Sequence, residues 1–337
     1  MKVMILFFLI NFKYWKLIFY MILFMSISIT ISTYSWFNMW IGLEINMLTI
    51  IPLMNNTKNM FMTESSLKYF IVQAMASSLL LLSIIMMSIY QKNFKILLLM
   101  NSALLIKLGS APFHFWFPEV MEGQMWNMNY ILLTMQKISP FMLLNYNMNM
   151  PYFFSMIIIM NMMVSMLMGL NQISLRKIMT FSSMNHIAWM IAAIFFIKTI
   201  WMMYFLIYMF MLMNIIYIFN MFNIFYIKQL IKINLSLYLK MLILLNFFNM
   251  GGLPPFIGFL PKWLTIQSLI NFNFKPLMTI MVILTLFTLF YYTRLMMSSL
   301  IMMKNYNLMK YPINKLIMVM LWINLLSLPL IFMIFMN

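Results

Sequence analysis

Apolar runs joined by short polar segments fill this chain almost from end to end. Residues 69–91 and 199–227 carry no charge at all. A bilayer core of ~30 Å takes about 20 apolar residues in helical form. Only a helix or a closed barrel satisfies its backbone there. Barrel strands would show ~10-residue segments of alternating polarity, whereas these runs are continuous. The expected fold is therefore all-α and polytopic. Composition agrees: 65% of the 337 residues are hydrophobic and 7% charged, a balance foreign to soluble domains.

Eleven spans are expected, at roughly 14–33, 35–54, 66–89, 95–117, 127–147, 151–170, 177–197, 200–223, 238–271, 274–297 and 315–335. No soluble domain or low-complexity linker separates them, so 1–337 reads as one membrane domain. Two spans carry helix breakers. "KLGSAPFHFWFPEV" begins at Lys107, and "GGLPPFIGFLPKW" carries the same skeleton 143 positions later. Gly109 matches Gly252, Pro112 matches Pro255, Phe113 matches Phe256 and Pro118 matches Pro261. Gly109, Pro112, Gly251, Gly252, Pro254, Pro255 and Pro261 are the expected hinges of two broken helices. Spans one to five (14–147) and six to ten (151–297) then form two copies, each broken at its fourth helix, with 315–335 as an extra C-terminal helix. Five is odd, so the second copy enters the membrane inverted. Paired breaks of this kind point to a transport path near mid-membrane.

The formal charge of +17 does not signal nucleic-acid binding, because the basic residues are scattered singly and form no stripe. They fall on the two sides of the membrane twelve to four, which places the N-terminus inside and the C-terminus outside. There is no cysteine, hence no disulfide or thiolate chemistry. The 48 methionines fit an AT-rich gene read with an animal mitochondrial code. No cleavable signal or transit peptide is evident at the N-terminus, as expected for a protein made inside the organelle.

Four ionisable residues have apolar sequence on both sides: Glu44, Lys107, Lys137 and Lys262. A mid-span charge costs ~2.5–3.5 kcal/mol on insertion scales, so a proton relay is favoured over four unused charges. A Glu–Lys pair that opens and closes has a switchable proton affinity. Snorkelling is the bland alternative for a lysine near a span end, and it is the preferred reading for Lys68, Lys92, Lys95 and Arg294. Lys68, His114 and His186 are auxiliary candidates. A satisfied buried hydrogen bond is the simpler role for either histidine, and two single histidines make no haem site. Glu119 and Glu122 are expected on the inside face, solvated or in a salt bridge. No phosphate loop, dinucleotide fingerprint or nucleophile set occurs, and no metal site is expected.

The segments "WIGLEINMLTIIPLM", "TESSLKYFIVQAMASS", "KLGSAPFHFWFPEVMEG", "LTMQKISPFMLL", "LNQISLRKIMTFSSMNHIAWM" and "GGLPPFIGFLPKWLTIQ" resemble, in order, the chain 2 family of NADH–ubiquinone oxidoreductase. These are antiporter-like membrane-arm subunits of mitochondrial respiratory complex I. The resemblance runs from about residue 35 to about residue 300. It implies a proton-translocating subunit of two inverted five-helix units, without the three extra N-terminal helices of bacterial members. It puts the family's glutamate–lysine pair on Glu44 and Lys107, its central lysine on Lys137, and its second broken-helix charge on Lys262. It implies that NADH, FMN, iron–sulfur clusters and ubiquinone belong to partner subunits. The expected partners are other membrane-arm subunits, including neighbouring antiporter-like chains, and phospholipids. The expected location is the mitochondrial inner membrane, with the N-terminus in the matrix and the C-terminus in the intermembrane space. Two rivals share the fold: a free-standing cation/proton antiporter and a proton-inert structural subunit. Against the first, a basic relay with one mid-membrane glutamate is a poor oxygen-ligand cage for sodium.

Overall fold

The computed structural model describes residues 14–55, 59–90, 93–232 and 237–301. The expected eleventh span, 315–335, lies outside the described residues, as do Lys2, Lys13, Lys58, Lys92, Lys304, Lys310 and Lys315, which entered the charge count. Among the described residues, regular structure is helical apart from one isolated bridge between Ser174 and Tyr226. The chain divides into two compact units, 1–147 and 148–337.

The first unit holds α1 (Tyr14–Ser32), α2 (Trp36–Met54), α3 (Met60–Tyr90), α4 (Phe94–Leu108), α5 (Trp116–Gly123), α6 (Trp126–Leu133) and α7 (Met135–Tyr146). α7 packs on α1, α2, α4 and α6, while α3 packs on α2, α4 and α5. α3 begins earlier than expected, because Thr63, Ser65 and Ser66 stay helical. Their hydroxyls bond back to the carbonyls of Met60, Met62 and Thr63 at 2.7–2.9 Å. Such local bonds make polar residues tolerable in a helix.

The second unit holds α8 (Pro151–Leu170), α9 (Leu175–Phe196), α10 (Lys198–Met221), α11 (Ile227–Lys232), α12 (Leu237–Gly251), α13 (Phe259–Asn271) and α14 (Lys275–Ile301). α9 is its core: 94% of its most apolar window is buried, against 39% for α8 and α14. It packs on α8, α10 and α13.

Among the described residues, seven helices are long and apolar enough to cross a membrane. Three further expected spans are interrupted. Residues 95–117 break after Leu108, and 118–123 continue as the helix α5 rather than a loop. Residues 238–271 break after Gly251. Residues 127–147, expected as one continuous span, break at Thr134. Thr134 is at once the C-cap of α6 and the N-cap of α7 (φ −118°, ψ −79°), and its hydroxyl bonds the Tyr130 carbonyl at 2.6 Å.

Candidate functional site

The two long breaks share a local design. Gly109 follows α4 at φ 69°, and Gly252 follows α12 at φ 74°. Both values lie in the left-handed region, which glycine enters without steric cost and which ends many helices. Each break also holds a cis X–Pro bond, at Ala111–Pro112 and Pro254–Pro255. Gly251 is the last residue of α12. Pro261, expected as a hinge, lies instead in the first turn of α13, where a missing N–H costs nothing.

In the first unit, Lys107 lies in the last turn of α4, 7% exposed. The negative end of a helix dipole favours an ammonium there. Glu44 on α2 lies within electrostatic reach of Lys107. Yet among the described residues the ion pairs within 4 Å are those of Lys68, so Glu44 and Lys107 are not in direct ion contact. One Glu44 carboxylate oxygen is buried without a hydrogen bond. Lys137, in the first turn of α7, is 2% exposed. Its Nζ sits 5.3 Å from the Phe117 ring centroid, a cation–π distance. Phe117 is held in turn by Gly109, where an added Cβ would lie 3.0 Å from the ring's Cγ. Gly109→Ala is therefore expected to displace Phe117 and loosen the Lys137 ammonium.

Lys68 turns out to be exposed and salt-bridged. Its Nζ lies 2.8 Å from Glu119 and 3.0 Å from Glu64, tying α3 to α5. The sequence reading anticipated a salt bridge for Glu119 without naming its partner. His114 is buried in the first break, its ring 4.3 Å from that of Phe115.

In the second unit, Lys262 on α13 is 5% exposed. Its Nζ donates to the Gly251 carbonyl at 2.6 Å and sits 6.0 Å from the Trp189 ring centroid. The break frees that carbonyl, since the last carbonyls of a helix have no partner within it. An ammonium at the C-terminal end of α12 also meets the negative end of its dipole. The Lys262 stem packs against Gly252: a Cβ there would lie 2.8–2.9 Å from Cδ, Cε and Nζ. His186 lies one turn before Trp189 on α9. Its Nδ1 pairs with the Tyr204 hydroxyl at 2.9 Å, and its ring lies 4.8 Å from that of Tyr208.

The sequence singles out none of Phe117, Trp189, Tyr204, Tyr69, Gln136 or Asn46, the side chains that surround these lysines and His186. Only Gln136 and Asn46 carried a usable signal, each being a polar side chain within two residues of a relay candidate.

Residues 33–288 match the family described as "NADH:quinone oxidoreductase/Mrp antiporter, TM". The NADH-ubiquinone oxidoreductase chain 2 of Anopheles gambiae is 47% identical, the match covering 86% of each chain. That of Mus musculus is 37% identical over 84% of this chain and 85% of the mouse chain. In fold, the chain is similar to one from respiratory complex I of Thermus thermophilus, with a TM-score of 0.80 and 19% identity over 94% of this chain and 79% of that one. A chain of the Mrp complex from Dietzia has a TM-score of 0.69 and 16% identity over 83% of this chain and 59% of that one. With its relatives' identity spread over most of its length, the chain belongs to the NADH-ubiquinone oxidoreductase chain 2 family, within the larger NADH:quinone oxidoreductase/Mrp antiporter group.

Proposed function

We propose that this chain is a proton-translocating membrane-arm subunit of respiratory complex I in the mitochondrial inner membrane, working through Glu44, Lys107, Lys137 and Lys262. The observation that carries this reading is the seating of the lysines. Three ammonium-bearing side chains are 2–7% exposed in an otherwise apolar protein. Two of them meet the C-terminal end of an interrupted helix, through the last turn of α4 and the Gly251 carbonyl. Burying an unneeded charge is costly. Helix ends that offset that cost, ~0.3–2 kcal/mol each, let a proton reside there without locking it in place.

In this reading Glu44 tunes Lys107, Lys107 exchanges a proton with Lys137, and Lys262 gates the outer half. Each interrupted pair, α4–α5, α6–α7 and α12–α13, counts as one crossing. Each unit is then a repeat of five crossings broken at its fourth, and the N-terminal side of the chain faces the matrix. NADH, FMN, the iron–sulfur clusters and ubiquinone reside on partner subunits. This chain moves charge while neighbouring antiporter-like chains and phospholipids flank it.

Lys137→Ala in the assembled complex, or at the corresponding position of a tractable homologue, tests the relay. NADH oxidation with an artificial acceptor should survive. Proton translocation should fall by on the order of 10²-fold, as when a proton-transfer group is removed. An unchanged number of protons moved per NADH would refute the relay.

A further inference from the structure

Beside Lys107, polar side chains from three helices form a continuous chain. Tyr69 of α3 donates its hydroxyl to Gln136 Oε1 of α7 at 2.9 Å. Gln136 Nε2 donates to Asn46 Oδ1 of α2 at 2.7 Å. Tyr69 and Asn46 are each 2% exposed. Buried polar groups of this kind are tolerated when each finds a partner, and together they fix a geometry.

The chain walls a cavity of about 10 Å³ that Lys107, Gln73 and Pro140 also line. About 10–15 Å³ is the minimum for one water, which needs two to four polar partners. Here Lys107 has three N–H donors, and the two amide oxygens and the phenol can accept. Pro140 offers no N–H to the Gln136 carbonyl one turn before it. Across the pair, Glu44 and Lys107 are not in contact, and Glu44 keeps a buried oxygen without a hydrogen bond. The space beside the ammonium is thus polar on several sides and sized for a single molecule.

We propose that this cavity is a one-water site and that Gln136 is its positioning residue, orienting the water between Lys107 and α7, the helix that carries Lys137. The proposal rests on the relay reading above and deepens it. An amide does not itself take the proton. Gln136 acts by holding the water where the Lys107 ammonium donates to it and the amide oxygens accept from it. Tyr69 and Asn46 fix the amide from both ends, so α2, α3 and α7 set one register.

The experiment uses the assembled complex. A density map that resolves waters should show one peak about 3 Å from Lys107 Nζ and from an oxygen of Gln136 or Asn46. Gln136→Met keeps the side chain's length and removes its hydrogen bonds. It should lose the peak and lower proton translocation about tenfold, the scale of leaving buried polar groups unpaired, with NADH oxidation by an artificial acceptor unchanged. Tyr69→Phe removes a single hydroxyl and should give a smaller loss. It carries the test should Gln136→Met fail to assemble. An unhydrated cavity overturns the proposal. So does full translocation in Gln136→Met while Lys107→Ala and Lys137→Ala are inactive, an outcome that leaves the relay standing. Full translocation in the lysine variants overturns the relay and the role of Gln136 together.

Discussion

Gly258→Ala is expected to prevent normal accumulation of the subunit. Gly258 precedes α13 at φ −62°, ψ −16°, a conformation alanine adopts freely, so backbone strain is not the reason. The obstacle is Asn249 of α12. An added Cβ would overlap the Asn249 carbonyl oxygen and lie 3.0 Å from its Oδ1. That Oδ1 accepts the Gly258 N–H at 2.8 Å. Both obstacles belong to one residue near the end of a helix, and a backbone carbonyl cannot swing aside as a side chain does. α12 and α13 would have to part, breaking the bond that joins them across the break. Overpacking costs ~1–3 kcal/mol, and an unpaired buried donor adds ~1–3 kcal/mol. Together these approach the lower end of a domain's ~5–15 kcal/mol of stability. The amount of assembled complex on a native gel and its rate of thermal inactivation measure this directly. Wild-type values for both would mean that the α12–α13 junction has slack the geometry does not show.

Gly252→Ala should spare assembly more and damage function further. At φ 74° an L-residue costs ~1–2 kcal/mol, an amount a folded subunit survives. The new Cβ would meet the Lys262 stem, which can move. Moving it lifts Nζ off the Gly251 carbonyl and away from Trp189, so the ammonium loses its charge-assisted hydrogen bond. Hydrogen bonds to charged groups are worth ~1.5–3 kcal/mol, so translocation should drop by on the order of 10–100-fold. Protons moved per NADH, measured beside the amount of complex, separate the two effects. A normal ratio in an assembled Gly252→Ala complex would show that the Lys262 seat is not part of the path.

Lys107, Lys137 and Lys262 could be picked out from sequence because each lies inside a long, mainly apolar run: a charge there is conspicuous however the chain folds. The glycines of the two breaks were equally visible, since few residues but glycine and proline interrupt a helix. The break at Thr134 was not. The segment "ILLTMQKISPF" has helical residues on both sides, and its Pro140 lies six positions on. A threonine alone does not announce a break, although here its hydroxyl bonds back to the Tyr130 carbonyl, a contact that bends helices. Gly258 stands in a stretch already rich in glycine and proline, so its particular role was hidden until Asn249 was placed beside it. Tyr69, Gln136 and Asn46 come from three helices far apart in sequence and meet only through packing.

From its residues alone, this protein was bound to be a helical membrane protein with paired interruptions and a few deep charges. Hydropathy, span length and backbone hydrogen bonding act locally, and they leave no other solution for runs this long and this apolar. Which carbonyl receives Lys262, which ring faces Lys137, and which amide stands beside Lys107 were decided by the tertiary structure. Those partners are set by distances of a few ångströms between helices, and no spacing along the chain encodes them.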